Sequence, residues 1–311
     1  GDWWNYLDTF KYIALSDFQT ALSQTEFGYA LLNWIAAQLG WGIWFPNLVC
    51  AAILVWGLVT LCKQQPNPSL ALVVAVPYLV IGVGMGFTRQ SAALGFVMLA
   101  LVDAVHRRNL RVLLYLALGA TFHTSTLVMV PLIGLSLVRR STGMLFALGL
   151  LGIVLAVQFW DHIANQMVIY ETYDITSHGA VPRLLMNVVP ALVLLAYRKR
   201  FSASADELRL WTILAIITLF TVVLMFVVDS TAIVDRLGVY LVPLQIFVLS
   251  RVPTAFGTRH RQNLLLLTLI IVYSLTVELV WLNFSSWSSR AWIPYQNYIW
   301  DWGPGGRRPG R

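Results

Sequence analysis

The chain has 311 residues, of which 58% are hydrophobic and only 11% charged, with a mean hydropathy of +0.71. Soluble chains carry about 25% charged residues, so 21 basic and 14 acidic side chains exclude a surface wetted all round. Most soluble enzymes and DNA-reading modules are excluded with it. The apolar residues come in long runs separated by short polar islands, which predicts an all-α, polytopic transmembrane helical bundle. The net charge of +7 is therefore read by location, because basic loops of membrane proteins record topology.

In chain order, residues 1–44 read as a segment at the outer face. Within it, EFGYALLNWIAAQL (26–39) has apolar residues at helical spacing, Phe27, Leu31, Trp34 and Ile35, and predicts an interfacial helix. Ten apolar runs follow between 45 and 284: 45–61, 70–86, 88–105, 112–122, 124–138, 143–160, 184–197, 210–228, 237–250 and 264–284. Alternation puts the islands 62–69, 106–111, 139–142, 198–209 and 251–263 on one side, with thirteen of the 21 basic residues. Ten of the 14 acids fall on the other. The positive-inside rule makes the basic side cytoplasmic. Residues 112–138 are read as two short legs with His123 at the outer apex, since one long helix would reverse the later islands. An even number of spans leaves both ends outside, and the chain opens without a leading helix, so one further N-terminal span is expected to be missing. An aromatic C-terminal segment, 285–302, closes the single membrane domain (1–302). Residues 303–311, all Gly, Pro or Arg, read as a flexible tail.

Charges retained in apolar helices cost about 2.5–3.5 kcal/mol each and need a reason. Arg89, Arg183 and Arg236 all sit at outer span ends, where positive charge is disfavoured. They either snorkel to lipid headgroups, pair with Asp174, Asp229 or Asp235, or together form an anion site, since guanidinium matches phosphate oxygens in a planar fork. Arg236 and Tyr240 are i,i+4 neighbours on one helix face. His123 is either a hydrogen-bonded structural group or a general base or pyrophosphate ligand. The outer loop 161–183 is acidic and aromatic, with Tyr170, Glu171, Tyr173, Asp174 and His178, and reads equally as a sugar-binding or a solvated loop. Gly82 and Gly86 have the spacing of close helix packing rather than of a dinucleotide site. Glu278, in the last span, reads as a structural acid. Cys50 and Cys62 lie roughly 18 Å apart along one helix and cannot pair within it. No DxD, HExxH or Walker sequence occurs, so neither a metal nor a nucleotide cofactor is expected.

These segments carry a resemblance. GDWWNYLDTF with EFGYALLNWIAAQLG resembles the opening pattern GxDWxxY…E-x-G-[FY] of the EpsG family of polysaccharide polymerases, which are Wzy-like membrane proteins. TRQSAALGFVMLAL with LGATFHTSTLVMVPL is similar to that family's R-Q-x-x-A…H-x-S-x-L core. DRLGVYLVPLQ resembles its later R-x-x-x-Y helix, and WIPYQNYIW its aromatic end. The resemblance runs over almost the whole chain in order; Thr88 stands where the pattern has Met, and the leading helix is missing.

It implies a GT-C-like glycosyltransferase fold and a polymerase of lipid-linked oligosaccharide repeats at the periplasmic face of the bacterial inner membrane. Donor and acceptor would both be undecaprenyl-diphosphate-linked, with a flippase and a chain-length-regulating co-polymerase as partners. Arg89, His123 and Arg236 match the family pattern, and Asp2 and Glu26 match its opening; these five are the expected catalytic residues. Arg183, Tyr240, Tyr173, Asp174, His178 and Gln90 are the expected substrate contacts. An O-antigen ligase-type enzyme would share the donor but want a larger outer domain. A flippase or transporter should show internal repeats and mid-membrane polar residues, and neither is found. A histidine-centred membrane acyltransferase would leave the three arginines without a purpose.

Overall fold

Long apolar runs leave the backbone few ways to satisfy its own N–H and C=O groups away from water, and the helix does so within each segment. The computed structural model describes residues 3–137, 180–227, 236–258, 261–285 and 288–293. All regular structure among them is helical, apart from an isolated bridge between Thr258 and Arg261. The chain opens with α1 (Trp3–Leu15), α2 (Phe18–Ser23) and α3 (Phe27–Gln38). The expected helix at 26–39 is α3; α1 and α2 were not anticipated. The body comprises α4 (Trp44–Lys63), α5 (Pro68–Ala75, continued as a π-helix over Val76–Gly84), α6 (Thr88–Val105), α7 (Asn109–Phe122) and α8 (Met129–Leu137). After these come α9 (Ala180–Tyr197), α10 (Ala205–Val227), α11 (Val242–Ala255), α12 (Leu264–Phe284) and the short α13 (Ser288–Ala291).

Among the described residues, five helices are long and apolar enough to cross a membrane: Trp44–Lys63, Thr88–Val105, Val181–Arg200, Ala205–Phe226 and Leu264–Phe284. Pro68–Gly84, Asn109–Phe122 and Thr124–Leu137 are apolar but shorter. Among the described residues there are thus five candidate spans where the hydropathy runs predict ten. The difference comes from length: Pro68–Gly84, Asn109–Phe122, Thr124–Leu137 and Val242–Ala255 are helical but shorter than the five. The run 143–160, the island 139–142 and the tail 303–311 lie outside the described residues.

The centre is α6, buried continuously from Gln90 to Asp103 and on to Ala104. A helix covered on all sides needs small residues where its neighbours cross, and Gly95 meets Gly57 of α4 there. A Cβ on Gly57 would collide with the Gly95 carbonyl, and one on Gly95 would lie 2.5 Å from the Ile53 carbonyl oxygen. The close crossing expected at Gly82 and Gly86 is thus made elsewhere. Gly86 instead admits the Trp292 ring, to which a Cβ would come within 3.3 Å.

The basic islands gather at one end. Arg107 makes a two-pronged pair with Asp206, Nε to Oδ2 at 2.8 Å and Nη2 to Oδ1 at 2.7 Å. Asn67 donates to Gln262 at 3.4 Å. Arg251 reaches Gln65 (2.9 Å), the Ser202 carbonyl (2.8 Å) and Glu207 (2.6 Å). Islands 62–69, 106–111, 198–209 and 251–263 therefore share one face, as alternation predicts. Leu135, near the end of α8, accepts from Arg209 at this same end (3.4 Å). Since α7 starts beside Arg107 and α8 finishes beside Arg209, His123 between them lies at the far end. The helix does break there: His123 is extended (φ −156°, ψ 116°), and a 3-10 turn over Thr124–Val128 leads into α8.

Candidate active site

The far end collects side chains from six segments. Glu26 stands at the head of α3, and Gly28 sets its depth: a Cβ there would lie 2.5 Å from Thr121 Oγ1 of α7. Only a bare backbone lets α3 rest on the last turn before His123. Arg89 enters from the first turn of α6. Its Nη1 donates to Glu26 Oε2 and to Thr25 Oγ1, each at 2.6 Å, while Thr25 Oγ1 donates to Glu26 at 2.8 Å. The guanidinium also lies over two rings, 5.8 Å from the Tyr6 centroid and 6.0 Å from that of Tyr29. Helices α1, α3 and α6 thus surround one cation, 35% of whose side chain stays exposed. Burial pushes the Glu26 carboxyl upward, but Arg89, and then His123, hold it below the usual glutamate range. That balance places a carboxylate, an arginine and an imidazole within electrostatic reach of one another.

A second chain of contacts starts at His123. Its Nδ1 is 2.6 Å from Ser125 Oγ, and Ser125 Oγ donates to the Tyr240 hydroxyl at 3.0 Å. Thr126 Oγ1 is 3.4 Å from the same hydroxyl. Tyr240 is buried. Gln90, also buried, donates from Nε2 to the Arg236 carbonyl at 3.0 Å. The segment before α11 is thereby fixed against α6, one residue from Arg89. Asn187 donates to the Gly238 carbonyl at 3.2 Å, and Gln245 donates to Asn187 at 3.3 Å. Arg183 sits one helical turn before Asn187 on the same face of α9.

Of the residues expected from the sequence, Glu26, Arg89, Gln90, His123, Arg236 and Tyr240 come together, and Arg183 lies on a helix joined to them. The Gln90 and Tyr240 side chains, expected to touch substrate, here bond to the Arg236 backbone and to Ser125. Asp2, Tyr173, Asp174 and His178 lie outside the described residues, as do Asp229 and Asp235. Sequence reasoning missed Thr25, Ser125 and the two tyrosines under Arg89. The HTS triplet carried a usable signal for Ser125, whereas nothing local marks Tyr6 as a neighbour of Arg89. Among the described residues, no cluster of three His, Cys, Asp or Glu side chains is placed to hold a metal ion.

The model of the EpsG family matches residues 1–297, nearly the whole chain. The chain belongs to the EpsG family. That family consists of Wzy-like polysaccharide polymerases, so this is a membrane protein of a glycosyltransferase-like polymerase family. No curated protein and no solved structure matches the chain.

Proposed function

We propose that the Glu26–Arg89–His123 face is the catalytic centre of a polymerase of lipid-linked oligosaccharide repeat units. The observation that carries this is the convergence of Arg89, Glu26 and His123, from three helices distant in sequence, at the end opposite the basic islands. Donor and acceptor are repeats linked to undecaprenyl diphosphate, and the site faces the periplasm across the bacterial inner membrane. The protein crosses that membrane about ten times in a GT-C-like arrangement. A flippase supplies the repeats, and a co-polymerase sets chain length.

The hydroxyl of the incoming repeat attacks the anomeric carbon of the growing glycan. The glycosyl–phosphate bond breaks, its electron pair passing to the departing lipid diphosphate. His123 takes the hydroxyl proton, and the nearby Glu26 carboxylate steadies the imidazolium that forms. Glu26 and Thr25 hold Arg89 at Nη1, and about a third of its side chain stays exposed. Arg89, with Arg236 and Arg183, then offers positive charge to the developing diphosphate. Arginine suits this task because two parallel N–H groups match two phosphate oxygens, which an ammonium cannot do.

The test is Arg89→Lys. In purified protein given the lipid-linked repeat that a deletion strain accumulates, polymerisation should fall by about 2.7–4 kcal/mol, roughly a hundred- to a thousandfold. Folding should be retained. Full activity in Arg89→Lys sinks the diphosphate assignment. The same assay in excess chelator should run at its normal rate; loss of activity, with recovery on adding a divalent cation, would show that arginine charge does not suffice.

A further inference from the structure

The segment that carries Arg236 is bent, and its sequence says where. Pro243 has no N–H to offer the Val239 carbonyl, so a regular helix cannot run unbroken through it. Tyr240 and Leu241 form a turn at that point, and their N–H groups bond three residues back, to the Leu237 and Gly238 carbonyls, at 3.1 Å each. Arg236 and Gly238 stand before the bend, and α11 runs on beyond it. With the regular ladder interrupted, the angle of the bend depends on what grips it from outside. One side chain grips both sides. Asn187 of α9 donates from Nδ2 to the Gly238 carbonyl at 3.2 Å, before the bend. Beyond the bend, Gln245 Nε2 donates to Asn187 Oδ1 at 3.3 Å and to the Met186 carbonyl at 3.0 Å. Asn187 and Gln245 are each 2% exposed, so water competes little for these bonds. An amide accepts at one end and donates at the other, so the bond from Gln245 fixes which end of Asn187 meets Gly238. From α6, Gln90 holds the Arg236 carbonyl itself.

We propose that Asn187 and Gln245 are positioning residues, a buried amide clamp across this bend that sets where Arg236 stands in the active site. The proposal rests on Arg236 acting on the departing diphosphate. Arg183 lies one turn before Asn187 on α9, and Arg236 lies two residues before Gly238, so the bond between Asn187 and Gly238 refers both arginines to one point. A displacement of about 1 Å in a group that must meet the reacting atoms costs on the order of a hundredfold in rate. Buried as they are, the two amides act through the arginine rather than on the substrate: they hold it, before the reaction starts, where negative charge will develop.

The measurement is a double-mutant cycle on polymerisation by the purified full chain, with the accumulated lipid-linked repeat as substrate. Asn187→Ala should lower kcat by about ten- to a hundredfold. KM should stay unchanged, because the arginine acts on charge present only in the transition state. Added to Arg236→Gln, the same change should cost little more, since no guanidinium is left to aim. A purely structural role for Asn187 predicts its full loss again in that background, and that result overturns the clamp. Native kcat in Asn187→Ala overturns it as well. Gln245→Met keeps the bulk of the side chain and removes its two bonds, and it should lower kcat in the same way and with the same dependence on Arg236. It decides the question if Asn187→Ala does not fold: native kcat in Gln245→Met overturns the clamp. Native activity in Arg236→Gln instead overturns the diphosphate reading beneath the proposal, so the single variants tell the two failures apart.

Discussion

Two arginines mark the two ends of the bundle, and they are held in opposite ways. Arg251 is enclosed: Nε donates to Gln65, Nη1 to the Ser202 carbonyl, and Nη2 to Glu207 and to the Gln64 carbonyl. Its guanidinium lies 4.3 Å from the centroid of Phe247, which is itself stacked on Trp211 at 4.5 Å. Only 6% of its side chain is exposed. Arg89 has a carboxylate as well, but one nitrogen serves both Glu26 and Thr25, and a third of the side chain remains open. A guanidinium whose every arm meets a protein acceptor fastens helices. One held at Nη1 and over two tyrosine rings, with a third of its side chain exposed, keeps room to meet something else.

Removing the enclosed arginine should have the largest effect. Arg251→Ala leaves Glu207 buried without its partner and should cost about 3–5 kcal/mol of stability, seen as a lower midpoint of thermal unfolding in detergent. If it unfolds like the native chain, the fastening role is wrong. Exchanging lysine for arginine sharpens the contrast: Arg251→Lys should lower the unfolding midpoint, because one ammonium cannot reach the Gln65, Ser202 and Glu207 acceptors together. Arg89→Lys should leave that midpoint nearly unchanged while polymerisation falls. Equal loss of stability in both would erase the distinction between the ends.

The pH dependence separates them further. The Glu26 carboxyl is depressed in the folded chain, so the unfolded state binds its proton first as the pH falls. Its stabilisation is complete above the ordinary glutamate value of about 4.3. It fades as the pH drops from there through the lower folded value. Glu26→Gln should remove that part of the acid profile and leave the rest in place; an unaltered profile would mean that the pair adds nothing. The smallest effect belongs to Arg107→Gln. Its pair with Asp206 has good geometry but stands in solvent, where screening and side-chain entropy offset the attraction. The unfolding midpoint should move within error.

Much of this was legible from the sequence. The run of apolar residues, the helix at Phe27–Gln38, the break at His123 and the gathering of basic islands all follow from periodicity, length and charge. Those signals are local or statistical, and each residue carries its share of them. What stayed hidden depends on partners far away in the chain. The pairing of Glu26 with Arg89 is an example: both were singled out, yet nothing in the spacing says that one holds the other. The Gly57–Gly95 crossing is another, since a lone glycine in an apolar run looks the same whether it faces lipid or a neighbouring backbone. Arg251 was read only as one of several basic loop residues, because burial of a charge is a property of the assembled helices.

The wide sequence separations within the site also set the order in which it can be made. Glu26 and Arg89 are 63 residues apart, and Gln90 meets a carbonyl 146 residues further on. At about 5–20 residues per second, roughly 3–13 s pass between synthesis of the glutamate and of its arginine. Ser125 waits longer still for Tyr240, which is 115 residues downstream. Glu26 is therefore without its arginine until α6 has been made. No growing chain can hold a finished site before Tyr240 has left the ribosome, so the site is completed only after most of the bundle has been threaded into the bilayer.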